Sequence, residues 1–309
     1  MEDKPVIVDK TTLGKLLNDI DTVLLDCDGV LWAGARGMDV INRSNEAVQK
    51  LKSLGKNVFF VTNNSTRSQE NYMEKCRILN FDIEKKNILC APFILAHYLK
   101  KIGFKKKIYV VGAAGLAEEI NKVGVDCIGL GPDSLPEEMY KSVADGSIGL
   151  DPEVGGVVVG FDRDFNYAKI VKATCYLTNP ECIFLATNTD KVYPVLGTPY
   201  HLPAAGVVLN TLECSSGRKA QVMGKPALNM FNYLVDEYQI DPKRTLMVGD
   251  TIYTDILFGN MCNMQTLLVL SGVSNLKDIE ESLRIDPKNV NQIPNYYLNS
   301  FGDILNLLD

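Results

Sequence analysis

The chain has 309 residues, with 32 Lys and Arg against 38 Asp and Glu and a formal net charge of −6. Such a length can bury a sizeable core as one large domain or two modest ones, while the acidic balance offers no basic field for a polyanion and argues against a nucleic-acid partner. No run approaches the roughly 20 apolar residues of a membrane span, the opening MEDKPVIVDK lacks the apolar segment of a secretory signal, and eight cysteines lie scattered without CxxC spacing, so a reducing cytoplasm is the expected compartment and neither a membrane anchor, a zinc site nor a disulfide framework is expected.

From the N-terminus, the apolar run Thr22–Leu25 reads as a buried strand, followed by Asp26-Cys27-Asp28-Gly29 and then by the amphipathic helical pattern Asn45–Leu54. Val58–Val61 reads as a second strand; Thr62-Asn63-Asn64-Ser65 follows it, ahead of a helix over Gln69–Leu79. The middle of the chain repeats this alternation, with strands at Ile108–Val111, Val157–Val159 and Ile183–Ala186 and helices at Leu116–Val123 and Tyr167–Leu177. Val222-Met223 then runs into Gly224-Lys225-Pro226 and a helix over Leu228–Tyr238. The strand Thr245–Val248 leads into Gly249-Asp250-Thr251, with Asp255 on the next turn, and Thr266–Leu270 is the last clear strand. Strand and helix alternating throughout predict an α/β fold, a Rossmann-like doubly wound parallel-sheet core. The stretch over 105–186 forms its own series without polar clusters at its strand ends, so an inserted α/β domain is expected over 96–205, with a core built from 1–95 and 206–309.

In open parallel sheets, ligands bind at the carboxyl ends of the strands, which makes the four polar clusters the place to look for chemistry. Two aspartates one residue apart after a buried strand repel each other, and burying them costs several kcal/mol unless a cation compensates. Asp26, Asp28 and Asp250 are hard oxygen ligands of the kind Mg2+ takes, so the missing positive charge is read as Mg2+ assisted by Lys225. Thr62 with the amides of Asn63 and Asn64 forms a phosphate cradle, and Lys225 adds a cation to it. Each cluster also has a plainer reading, as an acidic turn, a helix cap, a surface lysine or an N-cap carboxylate; their joint occurrence favours chemistry.

DCDGV, VTNNS, MGKP and VGDTIYTD, in this order, resemble the four motifs of the haloacid dehalogenase-like phosphatases. GFDRDFNYAKI (160–170), ATNTD (186–190) and SGRKAQVMGKP (216–226) resemble more narrowly the branch with an inserted C2-type cap, which holds phosphoglycolate, pyridoxal phosphate and 4-nitrophenyl phosphatases and NagD-like nucleotidases. The resemblance implies Asp26 as nucleophile and Asp28 as general acid and base with its backbone carbonyl on the metal. It further implies Asp250 completing the Mg2+ site, Thr62, Asn63 and Lys225 on the phosphoryl oxygens, Asp255 supporting the metal site, and a homodimer formed through the caps. The expected function is hydrolysis of a small phosphorylated metabolite, with phosphoglycolate favoured and pyridoxal 5'-phosphate as the alternative; from another class, a non-catalytic phosphometabolite-binding protein remains open. For specificity, the cap positions are Asp164, which stands where those two phosphatases carry a histidine, and Tyr193, Tyr200 and His201 in the loop over 190–206; Arg67, Arg163 and Lys191 are further cations for a substrate carboxylate. Gly112-Ala-Ala-Gly115 falls short of a dinucleotide fingerprint, His97 reads as structural, and Cys27 reads as an inert core thiol.

Overall fold

The computed structural model describes residues 5–34, 37–194 and 200–308; residues 195–199 of the loop expected to bear on specificity lie outside it. Two parallel sheets carry the fold. The first has seven strands in the order Val6–Ile7, Tyr296–Leu298, Gln265–Val269, Thr245–Gly249, Thr22–Leu25, Asn57–Thr62, Ile88–Cys90. The second has five, in the order Gln221–Val222, Ile183–Ala186, Val154–Val159, Lys107–Val111, Cys127–Ile128. The alternating α/β fold expected from the sequence is therefore present, and the long apolar runs are the central strands of both sheets.

Period-two side-chain alternation explains why these runs are apolar on every residue. In the Thr22–Leu25 strand, Val23 and Leu25 enter one apolar cluster and Leu24 another; Val58 and Phe60 split in the same way from Phe59 and Val61. Helices cover both faces, so no strand position can be polar without cost until the strand ends. The cluster around Leu24 and Phe59 continues through Leu95 and Leu99 of the Ala91–Lys101 helix to Ile108, Val110 and Val158 of the second sheet. One continuous apolar interior thus spans both units.

The short strands Val6–Ile7 and Ile88–Cys90 at the sheet edges, and Tyr296–Leu298 next to one of them, carry little periodicity of their own and are defined by their pairing. More consequential is Gln221–Val222. It pairs in parallel with Ile183–Ala186, and Val208, Leu209 and Leu212 of the preceding Ala205–Ser216 helix pack into the apolar cluster of the second sheet. The second sheet consequently draws on residues up to 222, beyond the boundary expected near 205. Among the described residues no helix is long and apolar enough to cross a membrane. All eight cysteines are free thiols, and Cys27 is buried with its thiol pushed well above the usual range by that burial, which suits an inert core residue.

Candidate active site

Three adjacent strands of the first sheet end at the site. Register pairs Val248 with Leu25 and Leu25 with Phe60, so Asp26, Thr62 and Asp250 emerge side by side at the carboxyl edge. Asp26 continues the ladder by donating its N–H to the Val248 carbonyl at 2.9 Å. Lys225 arrives from the chain leaving the second sheet, three residues beyond the Gln221–Val222 strand. Its side chain is 1% exposed, and its ammonium donates to Asp26 Oδ1 at 2.6 Å and to the Val61 carbonyl at 2.7 Å, with Asp255 Oδ1 at 2.8 Å. Pro226 does not open the following helix, which begins at Asn229; the Lys225–Pro226 peptide is cis and lies in the turn before it.

Asp26, Asp250 and Asp255 are all buried, and each offers a carboxylate oxygen within 4.8 Å of the others. Asp255 lies on a π-helical turn, Ile252–Ile256, where its Oδ2 accepts the N–H groups of Asp250 and Thr251 at 3.2 and 3.1 Å. It therefore pins both the Asp250 loop and the lysine. Asp250 accepts the Val273 N–H at 2.8 Å on Oδ2 and the Thr251 hydroxyl at 3.2 Å on Oδ1. Burial raises its carboxyl to about 7, with the charge of Asp255 adding to the rise. Burial likewise pushes Asp26 well above the usual carboxylate range, with Lys225 pulling against it and Asp255 and Asp250 adding to it. Lys225 feels burial in the opposite sense, yet Asp255 and Asp26 more than offset it and keep the ammonium charged.

This donor set fits a divalent cation. Three buried carboxylates share one ammonium, so when all are ionised two negative charges lack a counter-charge, and all the donors are hard oxygens suited to Mg2+. The Asp28 side chain lies apart from this group. The chain leaves the strand at Leu25, so strict alternation no longer applies, and the Asp28 carboxylate is about half exposed, accepting the Trp32 indole N–H at 2.9 Å and the Asn64 amide at 3.2 Å. The Asp28 side chain thus stands outside the buried carboxylate trio and reaches solvent.

Thr62 to Ser65 do not cap the next helix. Ser68 does so, in a capping box with Asn71, which frees the preceding loop for the site. The Thr62 hydroxyl oxygen accepts the Asn64 N–H at 3.1 Å, and Asn63 donates to the Lys225 carbonyl at 2.9 Å. The inserted unit meets this loop through residues that sequence reasoning does not single out: the Asn188 amide donates to the Asn63 carbonyl at 2.6 Å, the Asn63 amide to Asp190 Oδ2 at 3.3 Å, and the Phe161 N–H to the Ser65 hydroxyl at 2.9 Å. ATNTD contains Asn188 and Asp190 but assigns them no role. Ser271-Gly272-Val273-Ser274 is a second stretch absent from the four clusters; Ser271 donates to the Gly29 carbonyl at 2.7 Å, and the Ile252 N–H donates to the Ser274 hydroxyl at 3.2 Å. The sequence does carry a signal for it, since this polar stretch directly follows a buried strand, as the four clusters do.

Of the cap positions expected to set specificity, Asp164 is exposed, its N–H donating to Asp162 Oδ1 at 2.8 Å. Tyr193 lies on the Val192–Pro194 strand with its ring 6.2 Å from Phe161; Tyr200 and His201 are exposed, His201 on the antiparallel partner strand His201–Pro203. His97 packs edge-on against Tyr233 at 4.8 Å, within the Ala91–Lys101 helix.

The chain is similar to known proteins along most of its length. Residues 23–126 match a family described as haloacid dehalogenase-like hydrolase, and residues 222–304 match a second described as HAD-hydrolase-like. The chain is 37% identical to glycerol-3-phosphate phosphatase of Gallus gallus, over 96% of this chain and 95% of that one, and 38% identical to chloroplastic phosphoglycolate phosphatase 1A of Arabidopsis thaliana, over 94% and 78%. The fold is shared with a p-nitrophenyl phosphatase from Archaeoglobus fulgidus at a TM-score of 0.76 and 28% identity, covering 93% of this chain and 99% of that one. Glycerol 3-phosphate had no place among the substrates expected from the sequence. The chain belongs to the haloacid dehalogenase-like hydrolases and is a phosphoric monoester hydrolase.

Proposed function

We propose that the chain is a Mg2+-dependent phosphatase of small phosphorylated metabolites that works through an aspartyl-phosphate on Asp26. The observation that carries this reading is the buried trio of Asp26, Asp250 and Asp255 joined to Lys225 at the mouth of three strands.

Asp26 attacks the phosphorus; its oxygen bonds to phosphorus as the bond to the leaving oxygen breaks, and Asp28 gives that oxygen a proton. Water then attacks the phosphorus of the aspartyl-phosphate, Asp28 takes the water's proton, and cleavage of the bond to Asp26 returns the free carboxylate and inorganic phosphate. Lys225, the Thr62 hydroxyl and the loop amides neutralise the phosphoryl oxygens. Asp26, Asp250 and the Asp28 carbonyl would hold Mg2+, which when bound supplies charge neutralisation between carboxylates and phosphoryl group. At 4 Å each carboxylate opposes an incoming unit charge by roughly 4 kcal/mol at an effective dielectric of 20, so the cations decide whether the dianion binds.

For the substrate we favour 2-phosphoglycolate, whose leaving group is glycolate. Arg67, half-buried, just beyond the Thr62–Ser65 loop and in no ion pair among the described residues, is a cation open to a substrate carboxylate, which supports this choice. Glycerol 3-phosphate is the second reading, from the similarity to the avian phosphatase. Val192, Tyr193 and Leu202, exposed on the inserted hairpin, support a homodimer through that unit, whose extent we take to 222 from its sheet. The deciding assay is phosphate release from 2-phosphoglycolate, glycerol 3-phosphate and pyridoxal 5'-phosphate, with Mg2+ and then with EDTA. Release abolished by EDTA supports the reading; no release from any of them, or release indifferent to EDTA, sinks it.

A further inference from the structure

Lys75 has no place in the chemistry described so far, yet its side chain is almost fully buried. It stands on the Gln69–Ile78 helix, 4% exposed, and its ammonium makes no hydrogen bond to any described residue. Among the described residues, the ammonium meets the face of the Trp32 ring, 4.0 Å from its centroid, and Asp28 Oδ1 at 3.8 Å, with Gly37 close by. Burying an ammonium costs several kcal/mol unless something compensates, and a methionine of similar shape would fill the same space without that cost. The neighbouring thiols Cys27 and Cys76 are pushed toward their neutral forms by burial, and the charge of Arg67 works against the lysine, which leaves Asp28 as the carboxylate it faces.

Trp32 closes the arrangement. Its indole N–H donates to the same Asp28 Oδ1 at 2.9 Å while its face receives the ammonium, so Asp28, Trp32 and Lys75 each touch the other two. Trp32 is itself locked, fully buried between Tyr72, Phe60 and Phe81. One carboxylate oxygen is therefore held from the helix side, and Oδ2 is left to Asn64 and the cleft.

We propose that Lys75 is a positioning residue, which with Trp32 fixes the orientation of the Asp28 carboxylate from which the leaving oxygen and the attacking water are served. This rests on the reading of Asp28 as general acid and base. Misplacing such a group by about an ångström can cost as much as about a hundredfold in rate.

The test is steady-state kinetics on 2-phosphoglycolate with Mg2+, using Lys75→Met, Asp28→Asn and the double variant. Lys75→Met is expected to lower kcat about tenfold with KM within about twofold and an unlowered thermal midpoint, and to cause no further loss in the Asp28→Asn background. Wild-type kcat in Lys75→Met, or a loss that multiplies with that of Asp28→Asn, would overturn the inference while leaving the phosphatase reading intact. Asp28→Asn with full activity would instead overturn the role of Asp28, and the inference with it. Should Lys75→Met not fold, Trp32→Phe removes the indole donor but keeps a ring under the ammonium, and the same loss, absent in the Asp28→Asn background, is expected; its absence from the wild-type background counts against the proposal.

Discussion

The Lys225 ammonium lies 2.6 Å from the Asp26 carboxylate although 199 residues separate the two in sequence. One comes from the seven-stranded sheet and the other from just beyond the five-stranded one, so the pair ties the two units at the point where a phosphoryl group would be held. Asp26 can be made neutral without changing its shape. Asp26→Asn leaves Lys225 its partner Asp255, so the fold is expected to persist while turnover falls by at least about a thousandfold through loss of the nucleophile. Circular dichroism and single-turnover phosphate release check both halves, and wild-type-like activity would end the nucleophile assignment.

Removing the lysine tests the other side of the pair. Lys225→Met leaves Asp26, Asp250 and Asp255 facing one another in a buried site without a cation, a loss of about 3 kcal/mol in the metal-free protein at neutral pH. The sign of its pH dependence follows from the carboxylates. The folded values of Asp26 and Asp250 lie above those of the unfolded chain, so charging these two as pH rises costs stability, and protonating them relieves the repulsion. Urea unfolding at pH 5.5 and pH 8 in EDTA should therefore show the larger deficit at pH 8. An equal deficit at both would mean that the lysine stabilises by packing alone.

Magnesium should compete with protons for the same oxygens. With Asp250 raised to about 7 in the metal-free cluster, its proton must leave before the carboxylate can bind a cation. Apparent affinity should therefore rise with pH through this range, by up to about tenfold per pH unit for each proton displaced. Calorimetric titration of Mg2+ at pH 5.5, 6.5 and 8 reads this directly, and an affinity independent of pH would show that Asp250 is ionised before the metal arrives.

How far the sequence reveals such a site depends on which interactions set each feature. Strands such as Thr22–Leu25 and Thr245–Gly249 are legible because burial on both faces makes every residue apolar, and Asp26 and Asp250 are legible because they interrupt those runs. The sheet that owns Gln221–Val222 is not: two residues carry no periodicity, and only the pairing with Ile183–Ala186 decides it. The orientation of Asp28 is hidden for a similar reason, since it is held by Trp32 and Lys75, neither of which marks itself as polar machinery in the chain. Ser271-Gly272 follows a buried strand, as the four clusters do, but carries no ionisable side chain to mark it, and its backbone is found against Asp250.

That last contact supplies a test of how tightly the site is built. A Cβ on Gly272 would fall 1.8 Å from Asp250 Oδ2, and one on Gly29, whose φ is +89°, would fall 2.3 Å from the same oxygen. The carboxylate thus sits in a slot between two glycine backbones, with the Val273 N–H on the same oxygen, and cannot retreat from either side. Gly272→Ala places no demand on left-handed backbone; its effect is the displacement of Asp250 alone. Because outer contacts that orient a ligand are worth about 10- to 100-fold in metal affinity, the Mg2+ concentration for half-maximal activity should rise by at least about tenfold. At saturating Mg2+ much of kcat should return, since Asp26, Asp28 and Lys225 are untouched. An unchanged Mg2+ requirement in a folded Gly272→Ala protein would remove Asp250 from the metal site.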